Sequence, residues 1–177
     1  MHISEKVKQA IRDVKDYPKP GIVFKDITPV LADPSLFRDV VREMVATLKG
    51  LEIDAIAAVE ARGFILGSVL AHELSCGLIP VRKAGKLPYR TRSQKYDLEY
   101  GTAAIEMHED AFSKGARVLV HDDLLATGGT AGAAASLIHD LGGVVAGFSF
   151  LINLSFLPGE QHLKDRFGLR PQYLVSY

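Results

Sequence analysis

The stretch Val118-Leu-Val-His-Asp-Asp-Leu-Leu-Ala-Thr-Gly-Gly-Thr-Ala131 constrains this chain more than any other. Its apolar opening is dense enough for a strand buried on both faces, as in a parallel sheet. Two carboxylates follow, Asp122 and Asp123, and then a short turn formed by Ala126, Thr127, Gly128, Gly129 and Thr130. Small residues from Ala131 to Ser136 lead into a helix carrying Leu137, Ile138 and Leu141. Strand, small-residue loop and helix N-terminus together make an anion site, because free backbone N–H groups and the helix dipole face the ligand. Thr127 and Thr130 add hydroxyl donors, and the two glycines let the backbone approach closely. The acids upstream would repel a bare phosphate. They suit a ligand that also offers hydroxyl donors or brings a hydrated cation, as a sugar phosphate does.

Two common phosphate loops do not fit. The nucleoside-triphosphate loop G-x-x-x-x-G-K-[ST] needs a lysine after its glycines, and here none follows. The dinucleotide fingerprint G-x-G-x-x-G is also missing. A Gly-Gly pair alone would be an ordinary turn; the acids and threonines around it make it more than that.

At 177 residues one domain, spanning 1–177, is the expectation. Apolar residues make up 47% of the chain and mean hydropathy is +0.11, which suits a folded soluble protein. Formal net charge is zero, so no global basic field favours nucleic acid or an anionic membrane. The single cysteine, Cys76, has no internal partner, which points to a reducing compartment and so to the cytoplasm. The start of the chain is polar and shows no signal segment, and no apolar run reaches the ~18 residues of a membrane span. The six histidines show no metal-ligand spacing.

Taken in order, Ile3, Val7, Ile11 and Val14 recur at helical spacing and predict a first helix over 3–14. Tyr17 to Gly21, with two prolines and a glycine, ends it. A short extended piece at 22–24 and a loop at 25–29 follow. Asp33-Pro34 is an N-cap with proline at the first helical position, and Phe37 to Leu48 keep helical spacing. Residues 54–59 form a second buried strand, and Arg62 at its carboxyl end is placed to meet an anion. A helix over 64–74 and a third strand over 78–81 come next, with Arg82, Lys83 and Lys86 as a basic exit. Residues 87–100 lack periodicity and predict a long, mobile loop; 83–100 as a whole suits a lid. Residues 102–107 should pair antiparallel with the loop's other arm. Further strands are expected over 144–154 and 171–177, with a short helix at Leu163 and Phe167.

The organising string resembles the phosphoribosyl-pyrophosphate (PRPP) signature of the type I phosphoribosyltransferases. Four other segments, Pro20–Pro29, Glu60–Phe64, Arg82–Pro88 and Leu98–Gly101, are similar to motifs of the adenine phosphoribosyltransferases within them. One departure is His121, where the family has an apolar residue; another is Lys25, where many relatives have arginine. The resemblance implies an α/β fold with an open, mostly parallel sheet flanked by helices, a small N-terminal hood within 1–33, and a mobile lid. It implies transfer of a phosphoribosyl group from PRPP to adenine, with Mg²⁺ brought by the pyrophosphate. Residues 126–130 would hold phosphate, and Asp122 and Asp123 the ribose hydroxyls or metal-bound water. Arg62, Arg82, Lys83 and Lys86 would meet pyrophosphate, Lys86 reaching a neighbouring subunit of a homodimer. Val23, Phe24, Lys25 and Leu154 would line the adenine site, and Glu99 would be the acid beside the purine. The same resemblance extends to a cis or strained peptide in the 60–63 loop. Two alternatives stand beside this reading: another base (hypoxanthine, guanine, xanthine or orotate), or a regulator that binds PRPP without turnover. A regulator would need a DNA-binding module and would not need Glu99.

Overall fold

The structure, a computed structural model, describes residues 2–97 and 101–177. Helix α1 (Ile3–Ala10) buries Val7 and stops earlier than its pattern suggests. Ile11 is already extended, and strand β1 (Arg12–Lys15) pairs antiparallel with β2 (Val23–Asp26). The expected helix over 3–14 is therefore two elements. Ile11 and Val14 keep the helical spacing by coincidence, and pairing with the returning chain decides the backbone. The loop expected at 25–29 is also partly ordered. Lys25 and Asp26 end β2, and Asp26 accepts hydrogen bonds from the N–H and the hydroxyl of Thr28, each at 2.9 Å, at the start of α2 (Thr28–Ala32).

Helix α3 (Pro34–Thr47) begins as its sequence requires. Asp33 accepts from the N–H of Ser35 at 2.9 Å and of Leu36 at 3.0 Å. Then come β3 (Ala55–Val59), α4 (Gly63–Glu73), β4 (Gly77–Lys83), β5 (Thr91–Asp97), β6 (Thr102–His108), β7 (Arg117–Leu125), α5 (Gly129–Asp140), β8 (Val144–Asn153), α6 (Gly159–Phe167) and β9 (Gln172–Ser176). Among the described residues these strands form a seven-stranded sheet in the order β5-β6-β4-β3-β7-β8-β9. The run β4-β3-β7-β8-β9 is parallel, and the β5–β6 hairpin joins β4 antiparallel.

The loop expected over 87–100 is corrected in part. Residues 91–97 are a strand, paired in register from Thr91 opposite His108 to Asp97 opposite Thr102. Polar residues on both faces hid it, because the hairpin partner rather than a buried face sets its register.

Alternation along the central strands divides the core. Ala55, Ala57, Val59, Val118 and Val120 pack with α5 on one face, while Ile56 and Leu119 pack with α1, α3 and α4 on the other. Fully buried side chains such as Ile56, Leu119 and Phe148 each contribute about 1.5–3 kcal/mol. An exposed ion pair such as Arg42–Asp39 contributes at most about 1 kcal/mol, so the apolar layers carry the fold. Among the described residues no helix is long and apolar enough to cross a membrane.

Candidate active site

The turn 126–130 connects β7 to α5 at the carboxyl end of the central strands. Strand β7 runs further than its apolar opening, through both acids to Leu125. Gly128 then takes φ +82°, a left-handed conformation that side chains resist, and the helix starts at Gly129 with no side-chain cap. The first N–H groups of an α-helix lie outside its own ladder, so they are available to a ligand. They face a cleft of about 80 Å³ lined by residues 124–131 with Asp122 and Phe150. Whole small-molecule pockets run to about 300–1,000 Å³, so this is one anion subsite. The turn is braced from behind by a residue that the linear pattern does not single out, Gly159. Its N–H donates to the Ala126 carbonyl at 3.1 Å, and a Cβ on Gly159 would collide with that oxygen.

Asp122 and Asp123 stand side by side at the end of β7. The Asp123 N–H donates to Asp122 Oδ1 at 2.8 Å. Burial, reinforced by the charge of Asp123, raises the Asp122 carboxyl well above the ordinary carboxylate range. Burial also raises Asp123, but the Arg62 guanidinium opposes it, with Nε 3.1 Å from Oδ2. Arg62 also lies over the ring of Phe24, 4.6 Å from its centroid. Its Nη1 is buried and has no hydrogen-bond partner among the described residues. One arginine thus joins the acid pair to the N-terminal ribbon β1–β2. The peptide Glu60–Ala61 just before it is cis.

The basic exit of β4 gathers on two acids. Glu60 is 2.8 Å from Lys86 Nζ and 3.5 Å from Arg82 Nε, and it accepts the Lys83 N–H at 2.9 Å. The Lys86 hydrogen bond is the main cause that takes its pKa down to about 2. Glu106 is only 5% exposed. It accepts from the N–H groups of Lys86 and Leu87 and from the Thr91 hydroxyl, fixing the turn that presents these cations. Burial would raise its pKa, but backbone donors from Leu87, Gly85 and Lys86 hold it below the ordinary value. Neither acid stands out in the linear pattern; only strand order brings them to the basic turn.

On the far side of Arg62, Phe24 meets the Tyr17 ring edge-on at 5.2 Å, and Val23 is exposed. Lys25 turns away from them: its Nζ is 2.7 Å from Asp13 Oδ1 and lies over the ring of Tyr177. Leu154 is half-buried, and its N–H donates to the Leu125 carbonyl at 3.0 Å, next to the 126–130 turn. Glu99 lies outside the described residues. His121 is wholly buried on β7, and burial lowers its pKa to about 4 against a smaller opposing effect of the Ser149 backbone. It sits among core side chains rather than in the cleft.

The phosphoribosyl transferase domain matches residues 31–160. The adenine phosphoribosyltransferase of Myxococcus xanthus is 56% identical over 153 residues, 86% of this chain and 83% of that relative. The crystal structure of adenine phosphoribosyltransferase from Thermoanaerobacter pseudethanolicus superposes with a TM-score of 0.94 at 48% identity, covering 98% of this chain and 99% of the other. The Saccharomyces cerevisiae enzyme, crystallised with an imino-altritol bisphosphate and adenine, superposes with a TM-score of 0.88 at 32% identity, covering 97% and 98%. With the domain matched over most of its length and about half its residues shared with the Myxococcus and Thermoanaerobacter proteins, the chain belongs to the adenine phosphoribosyltransferase family.

Proposed function

We propose that this chain transfers the 5-phosphoribosyl group of PRPP to adenine, giving AMP and pyrophosphate, as a purine-salvage enzyme. The observation that carries the reading is Arg62, which connects the acid pair beside an anion turn to the aromatic ring of the hood. Ala126, Thr127, Gly128, Gly129 and Thr130 bind the 5-phosphate through helix N–H groups and hydroxyls. Asp122 and Asp123 hold the ribose hydroxyls and favour positive charge on the ring. Arg82, Lys83, Lys86 and Arg62 meet the pyrophosphate; the buried, unpartnered Nη1 of Arg62 is a donor suited to it. Val23 and Lys25 present main-chain groups to the purine edge, and Phe24 and Leu154 cover its faces. As a purine nitrogen bonds to the anomeric carbon, the bond to pyrophosphate breaks and its electron pair leaves with the pyrophosphate. Glu99 handles the purine proton.

Magnesium fits these residues. Asp122 and Asp123 are hard oxygen donors, and the raised Asp122 carboxyl would ionise more readily beside a cation. The other positions around such an ion would be filled by pyrophosphate and water. When bound, Mg²⁺ would neutralise charge on the leaving pyrophosphate. The 83–100 segment, of which residues 91–97 are a hairpin arm, acts as the lid that excludes water. We also place the activity in one domain of a cytoplasmic homodimer.

The test mixes protein, Mg²⁺ and PRPP with each base in turn. Adenine gives AMP, and the 6-oxo purines are slower by several orders of magnitude, because they invert donor and acceptor at the edge that the hood reads. Comparable turnover of hypoxanthine would overturn the base assignment. No nucleotide from any base would favour a binding protein without turnover.

A further inference from the structure

Both walls of the proposed purine site are fastened to one residue with no role so far, Tyr177. From the hood, Lys25 places its ammonium 3.9 Å from the centroid of the Tyr177 ring, and Lys8 places a second at 5.3 Å. From the other wall, Ser155 donates twice to the Tyr177 carbonyl, through its N–H at 2.8 Å and its hydroxyl at 2.6 Å. The Tyr177 N–H in turn donates to the Asn153 carbonyl at 2.9 Å. Lys25 follows Phe24 in the chain, and Ser155 follows Leu154. Tyr177 therefore stands between the two segments that cover the purine faces.

The contact with Lys25 is more than a chance surface approach. Its side chain is only 11% exposed, while its carboxylate partner Asp13 is 52% exposed and screened by solvent. A withdrawn ammonium needs further stabilisation, and an aromatic face supplies it. The Tyr177 hydroxyl is buried but has no hydrogen-bond partner among the described residues, so ring and main chain, not the hydroxyl, make the connection. A two-stranded ribbon such as β1–β2 is marginal by itself and takes its position from what it packs on.

We propose that Tyr177 is a positioning residue for the purine site, its ring holding the hood through Lys25 and its main chain holding the Leu154 segment through Ser155. This rests on reading Phe24 and Leu154 as the walls around the base. The phosphate turn is braced separately by β7, α5 and Gly159, so loss of the ring loosens one half of the site only.

The test is steady-state kinetics on the full chain with both substrates varied. Tyr177→Leu should raise the adenine KM about tenfold, with kcat and the PRPP KM within about twofold of wild type. Tyr177→Phe, which keeps the ring, should restore the wild-type adenine KM. Lys25→Met should copy Tyr177→Leu, and the double variant should be no worse than the worse single one. An unchanged adenine KM, an equal rise in both KM values, or additive effects in the double variant would overturn the proposal. If Tyr177→Leu does not fold, Lys25→Met decides by the same split between the two KM values. If the wild type does not turn over adenine, the functional reading fails on its own. Amide exchange in residues 12–26 then tests the tether: it should be faster in the leucine variant than in the phenylalanine one, and equal rates would count against it.

Discussion

On the proposed phosphate side of the cleft, five consecutive residues, Ala126 to Thr130, hang between a largely buried strand and its helix, and Gly159 presses on them from behind. On the proposed base side, Val23, Phe24 and Lys25 come from a separate two-stranded ribbon, and Leu154 follows the end of β8. The first half is built into the main core, and the second is assembled from peripheral pieces through Arg62 and Tyr177. Changes to the first should threaten the fold together with phosphate binding. Changes to the second should leave the fold standing and alter affinity for the base.

The largest effect is expected inside β7. His121 is held neutral in the fold, its pKa lowered from 6.5 to about 4. The unfolded chain therefore binds the proton more readily between those values. Its contribution is fully present above about pH 6.5 and is lost as the pH falls through about 4, a change of about 3 kcal/mol. Urea unfolding of wild type and His121→Leu at about pH 7.5 and about pH 4.5 measures it. The variant should lose less stability on acidification; identical losses would show that His121 does not carry it.

On the base side, Glu99→Ala should lower turnover roughly 100-fold with smaller changes in either KM and an unaltered melting temperature. Turnover that survives would assign the purine proton to water or the main chain. Back on the phosphate side, Gly159→Ala forces a methyl group against the Ala126 carbonyl and to about 2.9 Å from the Leu125 side chain. It should cost about 1–3 kcal/mol of stability and raise the PRPP KM while sparing the adenine KM. A variant of wild-type stability would mean that the turn is not braced there.

These two sides also differ in how much of them could be read in the chain. The proposed phosphate side is local: apolar run, acids, glycines and small-residue helix follow one another within residues 118–140, so their chemistry was visible in order. The cap at Asp33 was visible for the same reason. The ribbon was not, because Ile11 and Val14 continue a helical spacing while their backbone pairs with residues 23–26. Nor was β5, whose polar residues carry no alternation and whose register comes from β6. Glu60 lies 22 or more residues from the basic side chains that it meets. Glu106 and Tyr177 likewise act across distances in the chain at which no spacing rule operates.

The smallest effect concerns the hairpin. Arg90, Arg92 and Lys95 are trypsin sites, two of them within β5. Mg²⁺, PRPP and a non-reacting base analogue should slow cleavage there by roughly a few-fold, as expected when ligands favour a closed arm. Equal rates with and without ligands would show that the hairpin is no lid.

The division between the halves is tested most directly by measuring both KM values in three variants. Asp122→Asn should raise the PRPP KM about tenfold and leave adenine nearly unchanged, because Asp122 lines the proposed phosphate cleft. Phe24→Leu should do the reverse, raising the adenine KM about tenfold. Asp123→Asn should raise both, since Asp123 holds the arginine that stacks on Phe24. If instead all three variants shift both KM values by the same factor, the two halves are one cooperative unit, and the separation drawn between them is wrong.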